Sequence, residues 1–208
     1  MKKKVAVVGG GPAGCTCAYF LNHDFEITVF DENPMKTILP TGGGRCNLAY
    51  AEYDFKDLAK NYPRGEKFLY SVFSEFSTSN TLNFFEEIGI KTYTQEDNRI
   101  FPVSDSAKEV RTKLLAQLNH CQFIKEKVSE IKPFEYSIEI KTANITRNFD
   151  YVIIAIGGHG NYDLIKNLKH KIIPPQKALI GLKTKENFNP LQGVSLSDIS
   201  IKFDKKEI

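Results

Sequence analysis

The stretch Lys4-Val5-Ala6-Val7-Val8-Gly9-Gly10-Gly11-Pro12-Ala13-Gly14 decides how the rest of this chain is organised. Val5 to Val8 form a short apolar run that suits a buried strand, and three glycines follow at the spacing Gly9-x-Gly11-x-x-Gly14. Residues 15–21 then predict a helix. In such a strand, turn and helix, Gly9 permits the tight bend and Gly11 lets a pyrophosphate approach the backbone across Pro12 and Ala13. Gly14 lets the helix pack close to the sheet, and the helix's free N–H groups face the anion. The turn therefore predicts dinucleotide binding.

Working outward, Glu26 to Phe30 form a second strand that ends in Asp31, twenty positions after Gly11. That is where this unit places a carboxylate to accept hydrogen bonds from an adenosine ribose; a plain loop acid is the other reading. Beyond Asn33-Pro34 comes a second glycine stretch, Thr41-Gly42-Gly43-Gly44-Arg45-Cys46-Asn47. Adjacent glycines can turn their N–H groups inward as an anion-binding nest, to which Arg45 adds a bidentate cationic donor. Its alternative is a flexible loop with a surface arginine.

Composition narrows the class. At 208 residues, with 41% hydrophobic and 25% charged residues, the chain reads as a soluble globular protein with one good core and the beginning of a second domain. No apolar run approaches the ~20 residues of a membrane span. Lys2 to Lys4 lead into a strand and a glycine turn rather than an export signal, which places the chain in the cytoplasm. A net charge of +3 with scattered basic residues argues against a nucleic-acid partner. Cys15, Cys17, Cys46 and Cys121 form neither a C-x-x-C pair nor a metal-like cluster with His, so no metal site is expected.

Residues 65–118 read as mainly helical, with Phe68, Leu69, Val72, Phe73 and Phe76 on one apolar face that we assign to the core. A further helix at 81–88 stops at Gly89. Residues 90–94 and 99–103 are extended, and Ser104, Asp105 or Ser106 caps a helix carrying Val110, Leu114 and Leu118. Over 122–156 the period shortens to that of a β-meander with turns at 133–135 and 143–144. Residues 151–156 form a buried strand of the parallel sheet, closed by Gly157-Gly158. Pro174-Pro175 mark a break, after which 180–183 and 195–203 resemble strands. The domains expected are 1–175, dinucleotide-binding, and 176–208, the start of an unfinished β domain.

Four of these stretches resemble the bacterial NAD(P)/FAD-dependent oxidoreductases of the BaiN type, the aminoacetone-oxidase-like flavoproteins. They are Val8 to Gly14, Thr41 to Asn47, Arg99-Ile100-Phe101-Pro102-Val103-Ser104-Asp105 and Val152-Ile153-Ile154-Ala155-Ile156-Gly157-Gly158. The resemblance implies an α/β fold: a Rossmann-like, glutathione-reductase-like FAD-binding domain with a β-meander. An inserted, mostly β domain would follow, starting at Gly193-Val194-Ser195-Leu196. The cofactor is expected to be FAD, with NAD(P)H as a candidate electron donor. The implied contacts are Gly9, Gly11, Pro12, Ala13, Gly14, Asp31, Gly42, Gly43, Gly44, Arg45, Cys46, Asn47, Val128 through its backbone, Ala155, Gly157 and Gly158.

The chain departs from that pattern in three ways. Ile156 replaces a common Thr, the loop after Gly158 is short, and family members are about twice as long. The expectation is therefore an FAD-dependent oxidoreductase or its N-terminal part, with a C-terminal segment of the same protein as the missing partner and a small-molecule substrate. The alternatives are a dinucleotide-binding module without turnover and an NAD-dependent dehydrogenase. No residue declares itself as the catalyst: His159 reads as a surface or packing residue and Cys46, lacking a resolving cysteine, as structural.

Overall fold

The computed structural model describes residues 2–21, 24–166, 168–176, 185–188, 190, 194, 200, 202–203 and 206–207. The expected strand at 180–183, most of that at 195–203, and Gly193, Ser195 and Leu196 lie outside the described residues. The chain divides into two compact units, Met1–Ile172 and Ile173–Ile208.

At the centre of the first unit is a four-stranded parallel sheet. Strand β1 (Lys3–Val8) pairs with β2 (Phe25–Phe30) on one side and with β10 (Tyr151–Ile154) on the other. Strand β6 (Gln122–Ile124) follows β2, giving the order β10-β1-β2-β6. Because successive side chains of a strand point to opposite faces, the inner part of β1, Val5 to Val8, must be apolar on both faces if both are covered, and only Lys3 and Lys4 at its start are exposed. Both are. Val5 and Val7 join Cys15, Ala18, Val110, Leu114 and Leu118 in one core, whereas Ala6 and Val8 join Phe30, Ile131, Ile140 and Phe149 in another.

The first core is covered by helices α1 (Pro12–Phe20), α4 (Thr78–Glu87) and α5 (Ala107–Ala116). The second lies under a three-stranded antiparallel meander, β7 (Glu130–Pro133), β8 (Ile138–Lys141) and β9 (Thr146–Phe149). A small antiparallel sheet, β3 (Ala49–Tyr50), β5 (Arg99–Pro102) and β4 (Thr92–Thr94), carries the stretch after the second glycine loop. Helices α2 (Phe55–Lys60) and α3 (Glu66–Glu75) stand beside it in sequence, and α6 (Asp163–Lys166) follows β10. In the second unit, β11 (Lys202–Phe203) pairs antiparallel with β12 (Lys206–Glu207).

Several boundaries differ from expectation. Helix α1 begins at Pro12, since a fixed φ and a missing N–H suit the first helical position. The meander is confined to β7 to β9, because β6 pairs parallel with β2 and so belongs to the central sheet; three residues of alternation cannot specify a partner. Strand β10 ends at Ile154 and is half-buried, since among the described residues it is one of the sheet's two edges. The larger correction concerns α3. None of its residues is buried, and Phe68 is 73% exposed, with Val72 and Phe76 exposed as well. Of the apolar face expected in the core, Leu69 and Phe73 are only half-buried, Phe73 against the Tyr62 ring, and none of the five residues reaches the core.

Candidate dinucleotide site

The parallel strands β1, β2 and β10 all end at the glycine turn, which is where open α/β sheets place their ligands. Gly9 has φ +103°, and a Cβ there would sit 2.3 Å from the Ala155 carbonyl oxygen. At Gly14 a Cβ would lie 1.9 Å from the Gly9 carbonyl oxygen, so the helix approaches the strand as closely as backbone permits. Gly11 is different. Its φ is −74° and its nearest neighbour to a Cβ is Thr37 Oγ1 at 3.8 Å, so the protein itself leaves this space open.

The peptide of Gly10 is held from both sides. Its N–H donates to Asp31 Oδ2 at 2.7 Å, and its carbonyl accepts from Met35 N at 2.8 Å and from Cys15 Sγ at 3.2 Å. The second oxygen of Asp31 accepts the Asn33 N–H at 2.7 Å. A carboxylate has about four acceptor sites, so two remain for hydroxyl groups of a ligand.

Two cavities meet at this residue. The larger, about 550 Å³, is lined by Gly9, Gly11, Pro12, Ala13, Asp31, Ala155 and Gly157 among others. The smaller, about 170 Å³, runs from Gly9 and Asp31 to Lys127 and Val128. Gly9, Asp31 and Ile156 border both. Gly14 and Gly158 line neither among the described residues; Gly14 acts on helix packing, and Gly158 is exposed beyond the strand end. Thr37, Tyr162 and Ile165 were not anticipated as lining residues. Tyr162, whose hydroxyl donates to the Gly157 carbonyl at 3.1 Å, is the one a sequence could have flagged, being four residues beyond Gly158.

The second glycine loop lies outside the lining of both cavities. Gly42, Gly43, Gly44 and Cys46 all have positive φ, between 58° and 90°. At Gly42 a Cβ would also strike the Phe101 ring at 2.7 Å. Arg45 turns back on its own loop, with Nε donating to the Gly42 carbonyl at 3.1 Å and the guanidinium 4.0 Å above Phe101. Asn47 is exposed.

The thiols are poor nucleophiles here. Burial pushes Cys15 up to about 12, assisted by the nearby Asp31 charge and by Cys121, and burial pushes Cys121 up to about 11. Burial also raises Cys17 and Cys46. His159 is exposed. No group of His, Cys, Asp and Glu among the described residues could hold a metal ion, and no helix there is long and apolar enough to cross a membrane.

A parallel sheet whose first strand opens onto this glycine turn, with an acid at the end of the second, defines a Rossmann-type nucleotide-binding domain. Residues 3–203 match the family described as the HI0933-like protein Rossmann domain. The chain belongs to that family, a group of flavin-dependent oxidoreductases. It is 27% identical over 201 residues to a 3-dehydro-bile acid delta(4,6)-reductase of Clostridium scindens, covering 88% of this chain and 48% of that protein. The chain thus spans about half the length of that relative.

Solved structures agree on the fold. THI4 of Thermovibrio ammonificans superposes with a TM-score of 0.52 at 11% identity, over 81% of this chain and 63% of that one. BexE, whose structure was studied for oxidation during BE-7585A biosynthesis, gives a TM-score of 0.50 at 12% identity, over 79% and 34%.

Proposed function

We propose that this chain is the FAD-binding portion of a cytoplasmic flavin-dependent oxidoreductase acting on a small molecule, with NAD(P)H as electron donor. The observation that carries the reading is the position of Asp31 between the two cavities. A pyrophosphate on the Gly9 to Gly14 turn, a ribose on Asp31 and an adenine against the Val128 backbone would follow one another in the order in which the cofactor's own chemistry joins them. The open space at Gly11 fits an anion approaching the first turn of α1.

In this reading Gly9 and Gly14 shape the turn, Pro12 and Ala13 present the helix N-terminus, and Ala155, Gly157 and Gly158 border the path beyond the pyrophosphate. Gly42, Gly43, Gly44, Arg45, Cys46 and Asn47 form a second, cationic loop for the phosphates or the ring, held in shape by Phe101. Bound FAD would supply the two-electron redox chemistry, and the protein's part is to bind and orient it.

A second reading is a dinucleotide-binding module without turnover. It draws on the larger cavity, where Asp31 and Tyr162 are the ionisable side chains among the described lining residues. Titration with FAD, followed by anaerobic addition of NADH or NADPH, separates the two. Flavin that binds and bleaches well above the rate of free FAD supports the oxidoreductase, and flavin that binds without faster bleaching supports the module. A chain that binds no flavin refutes the proposal.

A further inference from the structure

We propose that Arg111 is a remote positioning residue for the nucleotide site, acting through Asn33 and Asp31 on the glycine turn. The inference rests on the dinucleotide reading given above. Arg111 lies on α5, between Val110 and Leu114, which are 2% and 1% exposed in the core. It therefore projects from a rigid base. Its Nε donates to the Pro34 carbonyl at 2.9 Å and its Nη2 donates to Asn33 Oδ1 at 2.9 Å, two contacts across more than seventy residues of chain.

Asn33 in turn donates its backbone N–H to Asp31 Oδ1 at 2.7 Å, and Asp31 Oδ2 accepts the Gly10 N–H at 2.7 Å. One residue past Pro34, Met35 closes the circuit by donating its N–H to the Gly10 carbonyl at 2.8 Å, in a left-handed conformation with φ 58°. The loop 31–35, exposed at Glu32 and Asn33 and buried at Pro34 and Met35, is thus clamped between helix α5 and the turn that would carry the pyrophosphate.

Without the clamp, the exposed Asn33 side chain loses its partner and the residue is held only by its backbone, whose carbonyl accepts the Lys36 N–H at 3.1 Å. Asp31 would then lose the N–H that sets the plane of its carboxylate, and with it the direction of the oxygens meant for the ribose. An arginine suits the task because its planar fork reaches two acceptors at once, which a lysine ammonium on a flexible stem does not fix in the same way. The charge is not spent on the ligand: both contacts go to neutral oxygens of the loop.

The test measures affinity of the purified chain for ADP and for FAD, beside thermal melting, in Arg111→Ala, Arg111→Lys, Asn33→Ala and Asp31→Asn, and in the Arg111→Ala/Asp31→Asn double variant. Arg111→Ala should weaken both ligands by about threefold to tenfold, the net worth of one or two ordinary hydrogen bonds. Arg111→Lys should recover part of that loss. Asn33→Ala, which leaves α5 packing intact, should reproduce it. Arg111→Ala should add no further loss in the Asp31→Asn background, since the effect passes through that carboxylate.

Unchanged affinity in a folded Arg111→Ala chain, with or without a lower melting temperature, overturns the inference. An equal further loss in the Asp31→Asn background does the same, because it routes the effect around Asp31. If Asp31→Asn and Gly11→Val both retain ADP, the reading of the site itself fails and this inference fails with it.

Discussion

Gly11→Val should abolish flavin retention while sparing the fold. The three motif glycines make different demands, and the structure separates them. A Cβ at Gly14 would lie 1.9 Å from a backbone oxygen and one at Gly9 2.3 Å from another, so both positions are closed by the protein's own chain. At Gly11 the nearest atom is 3.8 Å away, and φ is −74°, which any residue adopts. Valine therefore costs the fold only the loss of a favourable helix N-cap, about 1 kcal/mol, or roughly 2–4 °C in melting temperature for a chain of this size.

The ligand bears the larger cost of Gly11→Val. Valine methyl groups would occupy the open space through which an anion reaches the free N–H groups of α1. Loss of even one hydrogen bond to a charged group costs about 1.5–3 kcal/mol, which is roughly a 10- to 140-fold rise in Kd. The assay is flavin content after purification and FAD titration, beside circular dichroism and thermal melting. Gly14→Ala is the contrasting variant, expected to lower the melting temperature further because backbone must shift to admit the methyl group. Retained flavin in Gly11→Val would refute the assignment of the pyrophosphate to this turn, and an unfolded Gly11→Val chain would refute the claim that the space belongs to the ligand.

Arg45→Ala should weaken FAD by about 1.5–3 kcal/mol if the second loop meets the cofactor, and a neutral titration would make that loop a turn only. Phe68→Ser should change thermal stability by no more than about 0.5 kcal/mol, as for surface substitutions generally, whereas a core phenylalanine would cost several times more. Alkaline stability should follow the buried thiols. Cys15 stays protonated in the folded chain until about pH 12 but near its ordinary value of 9.0 when unfolded. Stability is therefore fully present below about pH 9 and falls from there towards about pH 12, with a slope approaching 1.4 kcal/mol per pH unit for this one thiol. Urea melts at stepped pH check it, with Cys15→Ala expected to flatten the decline.

How much of this was legible in the sequence depends on whether the cause was local. The β1 run, the glycine spacing, Asp31 at the strand end and the capped helix α5 are set by neighbours within a few residues, and each stands where expected. Ser106 does cap α5, accepting the Glu109 N–H at 3.3 Å. What failed was partner choice. Residues 122–124 carry the same alternation as the meander, and only the parallel register of Thr28 with Gln122 assigns them to the central sheet. Periodicity on α3 put Phe68, Leu69, Val72 and Phe73 on one face but could not say which way that face points, nor that Phe76 leaves the helix as its extended cap. Arg111 was invisible because its partners, Asn33 and Pro34, are distant in sequence and α5 reveals only its apolar stripe.

The two glycine stretches illustrate why similar sequence patterns call for different physics. In the first, Gly9 and Gly14 are required by what surrounds them, since backbone of Ala155 and of Gly9 itself fills the place of a side chain. In the second, Gly43 and Gly44 have no protein atom close enough to forbid a side chain; positive φ alone restricts them, a cost of about 1 kcal/mol for most residues. The first turn is thus fixed by packing, and any substitution at Gly9 or Gly14 should cost stability. The second is fixed by conformation and by the Phe101 ring beneath Gly42 and Arg45, so Gly43→Asn, in a residue type that accepts the left-handed region, should be tolerated where Gly42→Ala is not. That contrast assigns the rigidity of the Arg45 loop to Phe101 rather than to its run of glycines.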